Sequence, residues 1–176
     1  MNAALATLTW VHVLLSLVGL AAGFVVLWGL LSSRRFGRWT ALFLSTTIAT
    51  SVSGFLFPVN HVTPGHILGI VSLVALTLAV LARYQRRLLG PWRAVYVLSA
   101  VAAQYLNFLV LIVQLYLKVP ALKELAPTQT EPVFIDTQLA VLGAFVAVGI
   151  LSLNRFERRS ISVTQPVRGR LPGQVA

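Results

Sequence analysis

Hydrophobic residues fill most of the chain in long runs, which are separated by short polar or turn-rich connections. Five runs stand out, at residues 5–32, 40–57, 66–83, 92–117 and 134–154. A helix needs roughly 20 apolar residues to cross a hydrocarbon layer of about 30 Å, which matches the length of these runs. The pattern therefore predicts an all-α fold, an integral membrane bundle of about five transmembrane helices. The bundle is expected to occupy residues 1–159, and the Pro- and Gly-containing segment 160–176 is expected to be a disordered tail.

The second run differs from the others because hydroxyl groups interrupt it. Six of the nine residues from 45 to 53 are serine or threonine: Ser45, Thr46, Thr47, Thr50, Ser51 and Ser53. Hydroxyls within a membrane bond to carbonyls of their own helix or to neighbouring helices. We therefore expect a spanning helix that is surrounded by protein rather than by lipid. After the fourth run, Pro120 is expected to open a short helix that reaches Leu125 and lies in the membrane interface.

Basic residues mark every second connection. Twelve of the fourteen fall into three groups: Arg34, Arg35 and Arg38; Arg83, Arg86, Arg87 and Arg93; and Arg155, Arg158, Arg159, Arg168 and Arg170. Because basic connections stay in the cytoplasm, this alternation predicts an outer N-terminus and a cytoplasmic C-terminus. The net charge of +10 then indicates contact with a bilayer whose cytoplasmic side carries anionic headgroups, and not with nucleic acid.

Composition and motifs exclude several kinds of chemistry. Hydrophobic residues make up 57% of the chain and charged residues 10%, and cysteine is absent. Disulfides, thiolate metal sites and cysteine nucleophiles are therefore excluded. The Gly-x-Ser-x-Gly, Walker and dinucleotide-binding patterns are also absent from the sequence, so hydrolase, ATPase and dehydrogenase activities have no support. The sequence favours a protein that is not an enzyme.

Histidines and an aspartate are expected together at the outer side: His12, His61, His66 and Asp136. Ionisable groups at membrane depth need partners, so we expect His12 or His66 to pair with Asp136. Imidazoles and a carboxylate are zinc ligands, which makes His12, His66 and Asp136 a candidate metal site. Histidines from two helices also ligate b-type haem, and a single histidine serves at a quinone or on a proton path.

Each of these residues also has a structural explanation. His66 is placed to cap its own helix, and His12 to bond to a neighbouring helix. Asp136 suits the positive end of the dipole of the last helix. His61 lies in a Pro-containing connection, where a solvated turn residue is expected.

The fourth run carries the most polar face in the membrane region. Gln104, Asn107 and Gln114 lie on it, and together with His12 and His66 they are candidate cofactor-binding residues. The alternative is hydrogen bonding between helices, worth about 0.6–2 kcal/mol for each bond.

Small residues form two further stripes, which are expected to face neighbouring helices. The first holds His12, Ser16, Gly19 and Gly23, and the second holds Asp136, Ala140, Gly143 and Ala147. Small residues four positions apart let two helix backbones approach closely.

Three stretches of the sequence resemble an uncharacterised group of small bacterial inner-membrane proteins. They read Pro-Gly-His-Ile-Leu-Gly at 64–69, Lys-Val-Pro-Ala-Leu at 118–122 and Ala-Pro-Thr-Gln-Thr-Glu-Pro at 126–132. The resemblance covers about residues 55 to 155. It implies a multi-pass protein of the bacterial cytoplasmic membrane and assigns no activity or catalytic residue.

Three functions are consistent with these observations. The leading hypothesis is an accessory or assembly subunit of a larger bacterial membrane complex, which binds a membrane-protein partner or a second copy of itself. The alternative is a redox protein that holds haem b, a quinone or a metal such as zinc at its outer face. The third is a small transporter or channel, which the polar face of the fourth run and the hydroxylated second run would serve.

Overall fold

The computed structural model describes residues 3–58 and 63–162, with side chains as far as residue 155. Six helices follow one another: α1 (Ala3–Leu31), α2 (Gly37–Gly54), α3 (Pro64–Val80), α4 (Trp92–Lys118), α5 (Pro120–Leu125) and α6 (Pro132–Ser162). A π-helical turn, Leu81–Gln85, continues α3. Since the described residues form helices and connections only, the predicted all-α fold class is confirmed.

Within the described part of the chain, four helical segments are long and apolar enough to cross a membrane. They are Ala3–Leu31, Pro64–Gln85, Trp92–Lys118 and Pro132–Arg155, with mean hydropathies of 2.4, 2.2, 1.9 and 2.0. These segments indicate a membrane protein built as a helical bundle. The 18-residue α2 does not join them, because Arg38 and its many hydroxyl residues lower its hydropathy.

The core lies where α1, α2, α3 and α4 meet. Val26, Phe43, Leu76 and Val97 supply one buried side chain from each of these helices. α2 packs along α1 and also contacts α3, while α4 contacts α3, α6 and α1. One face of α2 is therefore covered by protein, whereas Trp39 and other residues on its opposite face are exposed. The prediction that protein surrounds this helix holds for one side only.

α6 lies at the edge of the bundle and packs against α4 and α1. Its buried side is formed by Phe145, whose ring lies 5.7 Å from Tyr105 and 5.9 Å from Phe108, measured between centroids. All four residues of the second small-residue stripe are exposed: Asp136, Ala140, Gly143 and Ala147. The prediction that this stripe faces the bundle is wrong, because burying an aromatic ring removes more apolar surface from the solvent than burying alanines does.

The connection between α4 and α6 folds back over the end of α4. α5 begins at Pro120, as predicted, since proline suits the first position of a helix. Ala126 is buried against Ile112 and Tyr116 of α4 and α5's Leu122. Of the tail predicted at 160–176, the part from residue 163 onward lies outside the described residues.

Candidate functional site

His12 lies on the face of α1 that meets the end of α2. Its Nδ1 is 2.9 Å from the Ser53 hydroxyl oxygen, and its ring meets the edge of Phe57 with centroids 5.4 Å apart. The Ser53 hydroxyl itself donates to the Thr50 carbonyl at 3.0 Å. Ser53 must therefore accept from His12, which places a proton on Nδ1 and leaves the Nε2 lone pair of a neutral imidazole available.

His66 belongs to the first turn of α3 and completes a capping box with Thr63. The Thr63 backbone N–H donates to His66 Nδ1 at 3.2 Å, and the Thr63 hydroxyl lies 2.7 Å from the same nitrogen. Nδ1 is therefore an acceptor, so the proton of a neutral ring is on Nε2. The ring also packs against Phe55, with centroids 5.4 Å apart. This is the capping role that the sequence offered for His66.

The structure does not bring the predicted metal ligands together. Asp136 is exposed on α6, and within residues 3–58 and 63–155 no hydrogen bond or ion pair joins it to either imidazole. No group of three or more histidine, aspartate or glutamate side chains in that part of the chain is placed to hold a metal ion. Zinc and haem binding at His12, His66 and Asp136 therefore stay predictions without a formed site. His61 lies outside the described residues.

Buried polar side chains instead follow one face of α2 along most of its length. We call this set the polar row, and its α2 members are Thr40, Thr47, Thr50 and Ser53. From Thr40 to Ser53 the helix rises about 20 Å, which is roughly two thirds of a hydrocarbon layer. Tyr96, Gln104 and Asn107 join the row from α4, and His12 joins it from α1 at the end near Ser53.

Gln104 lies in the middle of the polar row with none of its surface exposed. Its Nε2 donates to the Leu20 carbonyl of α1 at 3.0 Å. The side-chain amide occupies the space over Gly23, where an added Cβ would lie 1.9 Å from Gln104 Oε1. The predicted close approach at Gly23 is thus real, and the neighbour that requires it is a glutamine side chain.

Gly19, one turn earlier, makes room for the next polar group. A Cβ there would lie 3.0 Å from Thr47 Oγ1, 3.1 Å from Thr46 Oγ1 and 3.4 Å from Asn107 Nδ2. Three polar side chains from α2 and α4 therefore converge on a bare stretch of α1. Gln114 is exposed and does not join them, so the polar face predicted for α4 is divided between the bundle interior and its surface.

Several atoms of the polar row are buried and have no hydrogen-bond partner among the described residues. They are Thr47 Oγ1, Thr50 Oγ1, Gln104 Oε1 and Asn107 Nδ2. A polar atom held in an apolar environment without a hydrogen bond costs about 1–3 kcal/mol, so such atoms are usually paired or hydrated. Donors and acceptors of this kind suit small hydrogen-bonding species such as water.

The connection between α4 and α6 contains a second, exposed polar cluster. Glu131 Oε1 accepts from the Thr128 hydroxyl at 2.8 Å and from its N–H at 3.1 Å, and Oε2 accepts from the Thr130 N–H at 3.0 Å. Desolvation raises the pKa of the Glu131 carboxyl, but the hydrogen bonds from Thr128 and Thr130 outweigh it and lower the pKa below its ordinary value. Gln129, whose φ is 60°, donates to the Val113 carbonyl at 3.1 Å and ties this turn to α4.

The sequence-based predictions did not include one buried face of α2 formed by Thr40, Thr47, Thr50 and Ser53. Their spacing of seven, three and three residues was the available signal, since residues at such intervals share a side of a helix. Gln129 had no such signal, because its contact with α4 depends on how the connection folds. Comparison of the chain with protein-family models, curated proteins and solved structures gave no match.

Proposed function

We propose that this chain is a non-enzymatic accessory or assembly subunit of a larger membrane complex, and that α6 is the helix that binds its partner. The observation that carries this proposal is the outward-facing stripe of α6. Ala140, Gly143 and Ala147 are all exposed on it, and a Cβ added at Gly143 would meet no atom within 4 Å.

Glycine inside a helix is costly, by about 1 kcal/mol relative to alanine. Gly19 and Gly23 on α1 have a reason within the chain, because polar side chains occupy the space beside them. Gly143 has no such neighbour among the described residues. Small residues let a second helix backbone approach closely, so a partner helix on this face would account for them.

The charge of Asp136 favours a different protein, and not a second copy of this chain, as the partner on the exposed face of α6. Asp136 lies one turn before Ala140 on the same exposed face. Two parallel α6 helices paired through this face around a twofold axis would bring their Asp136 carboxylates to the same level, where they would repel each other. A partner helix with a basic or amide side chain at that level would pair with Asp136 instead. We therefore infer a heterologous membrane partner.

The proposal includes five crossings, an outer N-terminus and a location in the bacterial cytoplasmic membrane. Support for α2 as the fifth crossing comes from its packing along α1 and from its length, about 27 Å for 18 residues. The three arginine groups support the orientation, since all of them then lie in the cytoplasm. The sequence resemblance supports the location.

Site-specific photo-crosslinking in intact cells tests the partner site. A photoreactive residue at Gly143 should give one discrete adduct with a different membrane protein. The matched control is Val74, which is 57% exposed on α3 and should give lipid adducts only. Gly143→Leu should also shift the protein from a complex to its single-chain mass on native gels, while its helical circular dichroism is unchanged. An adduct only with itself, or equal adducts at both positions, would contradict the proposal.

The polar row favours a second candidate function, a narrow path for water or protons between helices α1, α2 and α4. Along it lie four buried atoms that have no hydrogen-bond partner among the described residues. His12 lies at the end near Ser53. Intramembrane polar residues commonly mark such paths. Liposomes that contain the protein should then lose an imposed pH gradient faster than empty liposomes, and Asn107→Leu should remove the difference. Equal rates with and without the protein would exclude this function.

A further inference from the structure

A basic cleft opens where the end of α1, the start of α2 and the π-helical turn meet. Its enclosed space is about 10 Å³, room for about one water molecule, so a larger group would be held at its mouth. The residues that matter for its chemistry are Arg34, Arg35, Phe36, Thr40, Arg83 and Tyr96. Three arginines from two separate segments therefore face one small volume. The cleft shares Thr40 and Tyr96 with the polar row, but neither proposed function uses its arginines.

Arg83 is the central group of the cleft. Its guanidinium carbon lies 5.6 Å from the centroid of the Tyr96 ring and 5.8 Å from that of Tyr84. Its Nε is buried and has no acceptor among the described residues. Arginine presents a fixed fork of N–H donors that matches phosphate oxygens. A buried donor of a charged group is costly when unpaired, so Arg83 is suited to an anion that enters the cleft.

The first turn of α2 adds to the positive potential of the cleft. Phe36 precedes this helix and makes no side-chain capping bond, and the first turn contains no acidic residue. A Cβ at Gly37 would lie 3.8 Å from Arg83 Nη2, so the guanidinium rests against this turn. Backbone N–H groups at the start of a helix carry a partial positive charge and bind anions.

The acidic side chains that the structure describes lie far from the cleft. Glu124, Glu131 and Asp136 belong to α5, the connection after it and the start of α6, at the opposite end of α4 from Tyr96. Near the cleft, Trp28 and Trp39 are 66% and 45% exposed. Exposed tryptophans of this kind lie at the level of lipid headgroups, which places the mouth of the cleft at a membrane surface.

We propose that this cleft binds a phosphate group, held by Arg83 and Arg34 with the Thr40 and Tyr96 hydroxyls beside it. The phosphate belongs either to the headgroup of an anionic phospholipid or to free inorganic phosphate. Basic pockets between transmembrane helices bind headgroups in this way. The exposed tryptophans favour the lipid.

Native mass spectrometry of the full chain tests the proposal. The protein is released from nanodiscs that contain equal parts of phosphatidylglycerol and phosphatidylcholine, and retained lipids are counted. One phosphatidylglycerol should be retained selectively, and Arg83→Gln should weaken its retention about tenfold. Arg87→Gln is the matched control, because it removes the same charge from an exposed arginine outside the cleft. Arg34→Gln, at an exposed residue, repeats the test without altering the core.

Two results would overturn the proposal. One is an equal loss of phosphatidylglycerol in Arg83→Gln and Arg87→Gln, which would show general attraction to a basic surface. The other is selective retention that none of the cleft variants alters. Adding inorganic phosphate to the lipid-bound protein, with sulfate as the control anion, distinguishes a lipid headgroup from free phosphate as the ligand. Displacement of the lipid by millimolar phosphate indicates a site for free phosphate, and continued retention of the lipid indicates a headgroup site.

Discussion

Gly23 on α1 leaves open the space that the side-chain amide of Gln104 on α4 occupies. An added Cβ at Gly23 would lie within 1.9 Å of Gln104 Oε1 and 2.3 Å of its Cδ. The same amide donates to the Leu20 carbonyl one turn earlier. A missing side chain on one helix and a buried polar side chain on another thus define a single contact in the middle of the bundle.

Replacing Gly23 should test this contact directly. Gly23→Ala forces Gln104 out of its position, and overpacking of this kind costs about 1–3 kcal/mol. Thermal unfolding of the detergent-solubilised protein should show a lower midpoint. Gly143→Ala is the control, since open space surrounds Gly143 and alanine favours the helix. Adding Gln104→Ala should restore part of the stability lost in Gly23→Ala, and equal midpoints for all variants would contradict the contact.

The capping role of His66 predicts a difference between two substitutions. Glutamine at the third position of a helix completes a capping box, whereas alanine does not. His66→Ala should therefore cost about 1 kcal/mol and speed amide exchange in the first turn of α3, and His66→Gln should cost much less. Absorption spectra of the same proteins address the cofactor hypothesis. A Soret band that both substitutions abolish would show that His66 ligates haem and that the cap is not its main role.

The bond between His12 and Ser53 predicts a particular tautomer. Since Ser53 donates to Thr50, a neutral His12 should carry its proton on Nδ1. Side-chain ¹⁵N chemical shifts report this directly. Ser53→Ala should shift the tautomer balance and cost about 0.6 kcal/mol. Ser45→Ala, at an exposed hydroxyl of the same helix, should leave the His12 signals unchanged. If the neutral His12 ring of the unmutated protein carried its proton only on Nε2, the hydrogen bond from Nδ1 to Ser53 would be refuted.

The order of the connection between α4 and α6 should depend on pH through Glu131. Hydrogen bonds to its carboxylate lower the folded pKa below the ordinary value of 4.5. The ionised Glu131 carboxylate therefore stabilises the turn fully above about pH 4.5. This stabilisation is lost as the pH falls through the pKa of the folded state. Amide exchange at Thr128 and Thr130 should accelerate on acidification. Glu131→Gln should show fast exchange at neutral pH and no such acid step, and an unchanged acid step in that variant would assign the effect to another group.

Much of the architecture could be predicted from local sequence. Long apolar runs produced helices close to the expected positions, and Pro120 and Pro64 each begin one, because proline is suited to the first turn. The hydroxyl residues of α2 indicated a helix surrounded by protein, which holds only for the face that packs against α1 and α3. These features depend on composition and on neighbours a few residues away, so a single sequence contains the information.

Which way each helix faces was harder to predict. The stripes of α1 and α6 look alike, since both combine small residues with one ionisable group, yet Gly23 is buried and Gly143 is exposed. The difference arises because Phe145, on the other side of α6, packs against Tyr105 and Phe108. The spacing of small residues in the sequence shows which residues share a face of a helix, but it does not show whether that face packs against the bundle.

The sequence alone determined that this chain is helical and membrane-like, because hydrophobic length and the spacing of turns act locally. Only the tertiary structure decided that Gln104 bonds to α1, that His66 caps its own helix and that Arg83 meets Arg34 at one cleft. Those relationships join residues from different helices or depend on the fold of a connection. They follow from how whole helices pack, and packing increases the buried apolar surface and minimises unpaired polar groups over the entire bundle at once.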